Sequence, residues 1–222
     1  MMKTKISLNT RRSLLLSAIA LTLLLSSGHT AEAQNQENTA TAQPVATHVA
    51  LIKTSLGDIE VELYGEDAPL TVANFVGLAE QDFYNGILFH RVVPGFVVQA
   101  GDPQTKDPSK RDRWGRGGSS IYDGKEFEDE LDTAAPSSKR GYQEGVLAMA
   151  NRGPNTNTSQ FFIISGPRAA SLPFKYTIFG MVRKGMDVVK AMEKAPLNNS
   201  VPKEPIKILS ISVNEVAEPE AK

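Results

Sequence analysis

The sequence predicts a mainly β fold, an antiparallel barrel or sandwich, for residues 48–215 of the 222-residue chain. Short runs of apolar, β-branched and aromatic residues recur along this region, and turn-forming residues separate them. Two of the runs, 59–64 and 206–213, alternate apolar with polar residues, which is typical of a strand with one buried and one solvated face. Only two segments have the spacing of a helix, and no internal repeat is visible.

The elements follow from these patterns in chain order. Strand-like runs at 49–54 and 59–64 flank a turn that contains Gly57. Apolar residues then recur at three and four, and Pro69 suits a first helical turn, so a helix is predicted over residues 69–81. A second, short helix is predicted over residues 186–194. The remaining strands are expected at 88–93, 96–100, 145–150, 160–164, 177–182 and 206–213.

Residues 1–33 resemble a secretory signal peptide. A start with four Lys and Arg residues precedes an apolar stretch over residues 13–27, and Ala31-Glu32-Ala33 fits a cleavage signal. The stretch is shorter than the roughly 20 residues that a spanning helix needs, which favours cleavage over the alternative of an uncleaved membrane anchor. Arg11-Arg12 fits a twin-arginine signal and an ordinary one equally. We therefore expect export to a periplasm or, in a photosynthetic host, to a thylakoid lumen.

The remaining chain divides into three parts. Residues 34–47 are polar without an apolar period and predict a disordered linker, residues 48–215 form the folded domain, and residues 216–222 are a polar tail. Cleavage after Ala33 would reduce the 24 basic and 25 acidic residues to 20 and 24, a net charge near −4. This balance argues against nucleic-acid binding and leaves the signal segment as the only expected membrane contact. The sequence has no cysteine and so no disulfide or thiol nucleophile.

The most informative stretch is residues 89–99, which predict two short strands around a Pro-Gly turn. It places Arg91 and Gln99 among bulky apolar residues, so an uncharged group could be bound there and polarised without a nucleophile. His90 lacks the partners of a general base, and a structural role is favoured. No metal-ligand spacing occurs, and residues 115–118 lack the Lys-Ser/Thr of a phosphate loop. No metal and no cofactor are expected.

Two predicted strands are apolar on both faces. Residues 96–98 and 160–164 contain no alternation of apolar and polar side chains. An antiparallel barrel normally buries one face of each strand and leaves the other in water. The second face therefore forms an outer apolar patch, which usually marks a binding site, or it belongs to the core. The strand pattern alone leaves these two interpretations open.

Residues 89–102 resemble the central motif of the cyclophilins, the cyclosporin-binding class of peptidyl-prolyl isomerases. Two further runs, 149–163 and 176–189, agree with the family in the same order along residues 49–213. The segment 117–130 is similar to the compact single-domain branch, and with its signal-like start the chain is identified as an exported, bacterial-type member. The resemblance implies a closed eight-stranded antiparallel barrel that is capped by two α-helices and carries its active site on the outer face.

The resemblance also implies an activity and a set of site residues. It implies a peptidyl-prolyl cis-trans isomerase that acts on proline-containing polypeptides and assists the folding of exported proteins. The family's catalytic arginine falls on Arg91. Its substrate groove falls on Phe96, Val97, Gln99, Ala150, Asn151, Gln160, Phe162, Leu172 and Tyr176. A non-catalytic chaperone or scaffold with the same fold is the alternative, and a hydrolase is disfavoured because no nucleophile–base pair is present. Nothing in the sequence requires an oligomer, so a monomer is expected.

Three departures from the family pattern matter for ligands. The tryptophan that many members carry just before Leu172 is missing, which predicts weak cyclosporin binding because an indole N–H donor and a large flat contact are lost. Residues 106–116 form a basic loop around Trp114, and Arg152 replaces a residue that is often small. These cations could favour acidic residues before the proline or an acidic partner. The alternative is a basic loop that is simply solvated.

Overall fold

The computed structural model describes residues 42–217. The predicted signal segment, residues 34–41 of the predicted linker and residues 218–222 of the predicted tail lie outside this range. The strands are β1 His48–Thr54, β2 Gly57–Leu63, β3 Arg91–Val93, β4 Val97–Ala100, β5 Val146–Met149, β6 Phe161–Ile164, β7 Ile178–Lys184, β8 Leu197–Asn198, β9 Val201–Pro202 and β10 Ile208–Glu215. The α-helices are α1 Pro69–Glu80, α2 Pro136–Arg140 and α3 Met186–Lys194, and 3₁₀ helices cover Pro103–Lys106, Pro108–Arg113 and Pro167–Ser171.

Eight strands form one antiparallel sheet in the order β10-β1-β2-β7-β5-β6-β4-β3, which confirms the predicted fold class. The sheet curls strongly into a half-barrel. A closed barrel was expected, but β3 and β10 are the two edge strands and do not pair with each other. Instead, the segment just before β3 joins the start of β10 and the residues that lead into it. The Gly86 amide donates to the Ile208 carbonyl at 2.8 Å, and the Phe89 amide donates to the Ile206 carbonyl at 2.9 Å. Gly86 has a φ of +80°, and the ladder between the two segments is reduced to the isolated bridge of Leu88 and Lys207.

The two predicted helices are present. Helix α1 begins at Pro69, whose missing N–H is not needed in a first turn. The next two amides, of Leu70 and Thr71, donate to the carboxylate of Glu130 at 2.8 and 2.9 Å, so a distant side chain caps the helix. Helix α3 follows Gly185 and buries Val189 and Met192. No helix within residues 42–217 is long and apolar enough to cross a membrane.

The sequence patterns missed the short helix α2 and the hairpin β8–β9. The hairpin turns through Asn199 and Ser200, whose φ angles of +48° and +67° lie in the left-handed region. Asparagine tolerates the left-handed region better than most residues, so Asn199 is the one feature of the sequence that indicates this turn. Both elements are short, and a run of two to five residues carries no periodicity from which it could be predicted.

Buried side chains lie on both faces of the sheet. The inner cluster contains Phe75, Phe161 and Phe179, and the Phe75 ring lies 5.5 Å from each of the other two, centroid to centroid. The outer cluster contains Phe162, and partly buried side chains cover it, namely Phe96, Ala150, Leu172, Phe174 and Tyr176. Strand β6 is therefore apolar on both faces because Phe161 belongs to one cluster and Phe162 to the other. The second apolar face is a smaller outer cluster with a partly open edge.

Candidate active site

A pocket of about 330 Å³ opens on the outer face of the sheet. Nine of the ten predicted site residues line it, namely Arg91, Phe96, Val97, Gln99, Ala150, Asn151, Phe162, Leu172 and Tyr176. The tenth, Gln160, lines a neighbouring groove that shares Gln99, Ala150 and Asn151 with the pocket. The structure thus brings together residues from strands and loops that lie up to 85 positions apart in the chain.

Strand register places the functional side chains in one row. Arg91 on β3 lies opposite Gln99 on β4, and Gln99 lies opposite Phe162 on β6. Phe162 in turn lies opposite Ala148 on β5. Directly opposed residues of antiparallel strands point to the same face, so a guanidinium, an amide and a phenyl ring stand side by side. Ala148 is buried in the outer cluster and continues the row to Ile178 on β7.

Aromatic rings form the far wall of the pocket. The Tyr176 ring meets Phe162 edge to face with centroids 5.5 Å apart. Tyr142 holds the backbone of Lys175 and Tyr176. Its hydroxyl donates to the Tyr176 carbonyl at 2.8 Å and accepts from the amides of Tyr176 and Lys175 at 2.9 and 3.2 Å. Burial raises the pKa of Tyr142, so its hydroxyl stays protonated in neutral solution. Sequence reasoning missed Tyr142, whose only signal is an aromatic residue at a turn.

Arg91 is the charged group of the pocket. Its guanidinium lies 5.8 Å from the centroid of the Phe96 ring, and Nη1 donates to Oε1 of Gln99 at 3.3 Å. Burial lowers the pKa of the guanidinium, but an arginine remains a cation throughout the neutral range. Within residues 42–217 no carboxylate forms an ion pair with Arg91. Most of its N–H donors are therefore available to a ligand.

A directed chain of hydrogen bonds ends at Arg91. Nε2 of Gln160 donates to the Gly117 carbonyl at 2.6 Å, and Oε1 of Gln160 accepts from Nε2 of Gln99 at 2.9 Å. Oε1 of Gln99 is then left to accept from Arg91. A backbone carbonyl only accepts, so Gly117 fixes the orientation of both amides. The chain presents an oxygen, and not an NH₂ group, to the guanidinium.

Asp102 holds the loop that carries Gly117. Its buried carboxylate accepts from the amides of Gln104, Gly115 and Gly117 at 2.8, 2.6 and 3.1 Å. A Cβ at Gly117 would lie 2.3 Å from the Asp102 carboxylate, so this close approach requires glycine. Sequence reasoning missed Asp102, although an aspartate before proline at the start of a helical turn is a capping signal.

Asn151 is held at the edge of the pocket by two acceptors. Its Nδ2 donates to the Lys175 carbonyl at 2.7 Å and to Asp129 at 3.3 Å. Asp129 also accepts from Asn157, so a buried amide on the next loop stabilises its carboxylate. The Asn151 side chain is thereby tied to the segment that carries Tyr176, and the two walls of the pocket are joined.

His90 lies behind the pocket and not in it. The ring is 5 % exposed. The Leu88 backbone and the Gln160 side chain lie near it, but neither ring nitrogen forms a hydrogen bond of normal geometry with a described residue. Burial lowers the pKa of His90, although the nearby Asp102 carboxylate opposes this effect. A neutral buried ring without a nucleophile beside it is unsuited to general-base chemistry. Among residues 42–217, no cluster of three His, Asp or Glu side chains could hold a metal ion.

Most cations of the predicted basic loop line neither the pocket nor the neighbouring groove. Lys106 donates to the Phe83 carbonyl at 2.8 Å, Lys110 pairs with Asp107 at 3.5 Å, and Arg111 stacks on Trp114. Only Arg116 of the loop cations lines the neighbouring groove, whose volume is about 650 Å³. Arg152 also lines this groove and forms an ion pair with Glu126 at 2.5 Å.

Comparison with known families and proteins identifies the chain. The model of the cyclophilin type peptidyl-prolyl cis-trans isomerase family matches residues 49–213. Peptidyl-prolyl cis-trans isomerase-like 1 of Emericella nidulans is 45% identical over 168 residues, which cover 75% of this chain and 95% of the relative. The isomerase ppi1 of Schizosaccharomyces pombe is 46% identical over 159 residues, which cover 71% and 94% of the two chains. Human isomerase-like 3 is 44% identical over 147 residues, which cover 66% and 83%.

Solved structures agree in fold. A crystal structure of a Cryptosporidium parvum cyclophilin type peptidyl-prolyl cis-trans isomerase has a TM-score of 0.66 and 32% identity, and covers 79% of this chain and 100% of its own. The same protein in the presence of the dipeptide Ala-Pro has a TM-score of 0.65 and 33% identity, and covers 75% and 98%. These relatives are eukaryotic, so they do not support the expected exported, bacterial-type branch. The chain belongs to the cyclophilin-type peptidyl-prolyl cis-trans isomerase family and is an enzyme of that type.

Proposed function

We propose that this cyclophilin-type isomerase catalyses rotation about X–Pro bonds of polypeptides in the Arg91 pocket. The observation that carries the proposal is the row of Arg91, Gln99 and Phe162, which sets a guanidinium beside an apolar space large enough for a proline ring. Six of its nine lining residues are apolar or aromatic, and Arg91, Gln99 and Asn151 supply polar groups. This combination fits an apolar ring attached to a polar amide.

The chemistry requires no nucleophile. Rotation about an X–Pro bond crosses a barrier of about 18–20 kcal/mol, because amide resonance is lost as the bond twists. In the twisted state the prolyl nitrogen regains a lone pair and becomes a hydrogen-bond acceptor. An enzyme accelerates the rotation by binding this state more tightly than either planar isomer. No bond is broken, so binding and electrostatics account for the whole effect.

Arg91 provides the electrostatic part. Its N–H donors can reach the prolyl nitrogen, which accepts a hydrogen bond in the twisted amide but not in the planar one, or the carbonyl oxygen, whose position changes as the bond rotates. The acceptor Gln99 holds the guanidinium while leaving most donors to the substrate. Phe96 and Phe162 hold the ring so that the residue before it swings. A barrier lowered by about 7 kcal/mol corresponds to an acceleration of roughly 10⁵-fold.

Exchange NMR on a short Ala-Pro peptide tests this proposal. We expect fast exchange with residues 34–222 of the wild type, a loss of at least a hundredfold with Arg91→Ala, and partial activity with Arg91→Lys, which keeps the charge but not the planar fork. The matched control is Arg168→Ala, because Arg168 also lies over the Phe96 ring but is exposed and does not line the pocket. A folded wild type without any acceleration would favour a non-catalytic chaperone or scaffold.

We also propose that the enzyme acts on exported polypeptides in a periplasm or a thylakoid lumen. Support comes from the basic start, the apolar stretch and the Ala31-Glu32-Ala33 sequence of residues 1–33. Cell fractionation followed by N-terminal sequencing tests it, with Gln34 as the expected first residue of the exported form. Replacing Arg11-Arg12 by a Lys pair separates the two routes, since only the twin-arginine route depends on arginine. An uncleaved chain in the cytoplasm would contradict the proposal.

A further inference from the structure

We propose that the groove beside the Arg91 pocket binds an acidic side chain of the substrate close to its proline. We call it the charged groove, and its charged lining consists of Arg116, Lys125, Glu126 and Arg152. The inference rests on the proposed function, since one peptide must occupy the pocket and the charged groove together. It assigns a preference for aspartate or glutamate near the proline.

The charged groove is continuous with the pocket. Both are lined by Gln99, Ala150 and Asn151, so a polypeptide with its proline against Phe162 crosses these residues to enter the groove. The groove volume of about 650 Å³ is nearly twice the 330 Å³ of the pocket, which leaves room for a full side chain and its water. A neighbouring residue of the substrate therefore has a place of its own in the structure.

The charges of the lining favour an anion. Three cations and one carboxylate line the charged groove, so its net charge is positive. Arg116 has no ion-pair partner among residues 42–217. Lys125 meets only the exposed Asp123, at 3.5 Å, and such a pair is weak in water. At least two cations are thus available to a substrate carboxylate.

The pair of Arg152 and Glu126 shows how a carboxylate is bound in this place. Nη2 of Arg152 lies 2.5 Å from Oε1 of Glu126. The Arg152 backbone is held in turn, because its amide donates to Oγ1 of Thr156, which donates to the Gly153 carbonyl, both at 2.8 Å. Arg152 is therefore positioned for a carboxylate before any substrate arrives. Glu126 acts as an internal competitor for that position.

This competition predicts two opposite effects. Removing the charge of Arg152 or Arg116 removes a cation that attracts the substrate carboxylate. Removing the charge of Glu126 leaves its size unchanged, releases Arg152 and removes a repelling anion. The Glu126→Gln variant is therefore expected to strengthen the preference for acidic peptides. Damage to the fold would not produce such a gain, which separates the proposal from a structural role of the pair.

The test compares kcat/KM for proline peptides that carry Glu, Ala or Lys at single positions on either side of the proline. With the wild type we expect a threefold to tenfold preference for Glu over Lys at one position, and a smaller preference at high salt because exposed ion pairs are screened. The ratio should fall toward one in Arg152→Gln and Arg116→Gln, and should rise at least twofold in Glu126→Gln. Lys110→Gln is the matched control, since Lys110 is an exposed cation of the same loop that does not line the groove.

Peptide affinity gives a second measurement that does not depend on catalysis. NMR titration of the same variants with the same peptides should rank their dissociation constants as kcat/KM does. Equal affinity and equal kcat/KM for the Glu, Ala and Lys peptides would overturn the inference while a fast Ala-Pro reaction upholds the isomerase. The inference would also be overturned if the preference for Glu over Lys peptides did not rise in Glu126→Gln. If the protein bound Glu peptides selectively but did not accelerate isomerisation, the proposed function would be wrong and the inference about the charged groove would stand.

Discussion

The carbonyl oxygen of Gly117 lies 2.6 Å from Nε2 of Gln160, and this contact sets the direction of every hydrogen bond that leads to Arg91. Gln160 can only offer its oxygen to Gln99, and Gln99 can only offer its oxygen to the guanidinium. A loop that does not line the proline pocket thus orients the group that is proposed to act on the prolyl nitrogen.

Gln160→Glu tests this dependence. A carboxylate keeps the shape of glutamine and still accepts from Gln99, but it cannot donate to Gly117 and faces its carbonyl at close range. An unsatisfied or repelled polar group of this kind costs about 1–2 kcal/mol. We therefore expect the thermal midpoint to fall by a few degrees. We also expect kcat/KM of the folded variant for an Ala-Pro peptide, measured by exchange NMR, to fall about fivefold to thirtyfold. Gln143→Glu, an exposed change outside the pocket, is the control. Unchanged activity in Gln160→Glu would mean that Arg91 is positioned without the chain.

Strand β6 shows how far sequence patterns reach. Its apolar run predicted a strand but could not decide whether the second face is core or patch, because this depends on what packs over each face. The pairing of Arg91 with Gln99 could be predicted, since a Pro-Gly turn between two short strands brings these residues opposite each other. The role of Gly117 could not be predicted, because an irregular loop brings it to the site and the role of a backbone carbonyl leaves no pattern in the sequence. Asp102 has a capping signal, but its contacts with the Gly115 and Gly117 amides depend on how that loop folds.

Phe161 and Phe162 are adjacent but should respond differently to truncation. Phe161 is fully buried in the inner cluster, so Phe161→Ala should lower the free energy of unfolding by about 3–5 kcal/mol. Phe162 lines the pocket at the open edge of the outer cluster, and Phe162→Ala should cost less, about 2–3 kcal/mol. Urea unfolding measures both values.

The kinetic effects should be reversed. Phe162→Ala removes a wall of the proline pocket, so KM should rise about tenfold or more, while folded Phe161→Ala should keep a KM near that of the wild type. Each variant is the control for the other, since both remove the same phenyl ring. A larger rise of KM in Phe161→Ala than in Phe162→Ala would contradict the assignment of the two faces.

His90 should make the fold sensitive to acid without taking part in catalysis. Burial lowers the pKa of its folded form below the ordinary value near 6.5, so the unfolded chain binds a proton first as the pH falls. The stability linked to His90 is complete above about pH 6.5 and is lost below it, with a slope of up to about 1.4 kcal/mol per pH unit. Urea unfolding between pH 7.5 and 5 should show this loss, and His90→Gln should reduce it.

Activity should not follow the same titration. Arg91 stays charged across this range, and no general base is needed, so kcat/KM of the folded enzyme should be nearly flat from pH 6 to 9. His48→Gln is the control for the stability measurement, since His48 is less buried and lies on β1, away from the pocket. A bell-shaped activity profile with a limb near pH 6.5 that disappears in His90→Gln would assign His90 a chemical role instead.

Cyclosporin should bind weakly because of the residue before Leu172. Ser171 stands where many family members carry a tryptophan, and its hydroxyl donates to the Arg168 carbonyl at 3.1 Å, so no indole N–H or flat ring faces a ligand there. Isothermal titration calorimetry should give a dissociation constant well above the nanomolar range for the wild type.

The variant Ser171→Trp restores a hydrogen-bond donor and a large contact, and should tighten cyclosporin binding by about tenfold or more. Its activity on the Ala-Pro peptide should stay within a few-fold of the wild type, since Ser171 does not line the pocket. Ser171→Ala controls for loss of the hydroxyl alone, and nanomolar binding by the wild type would refute the prediction.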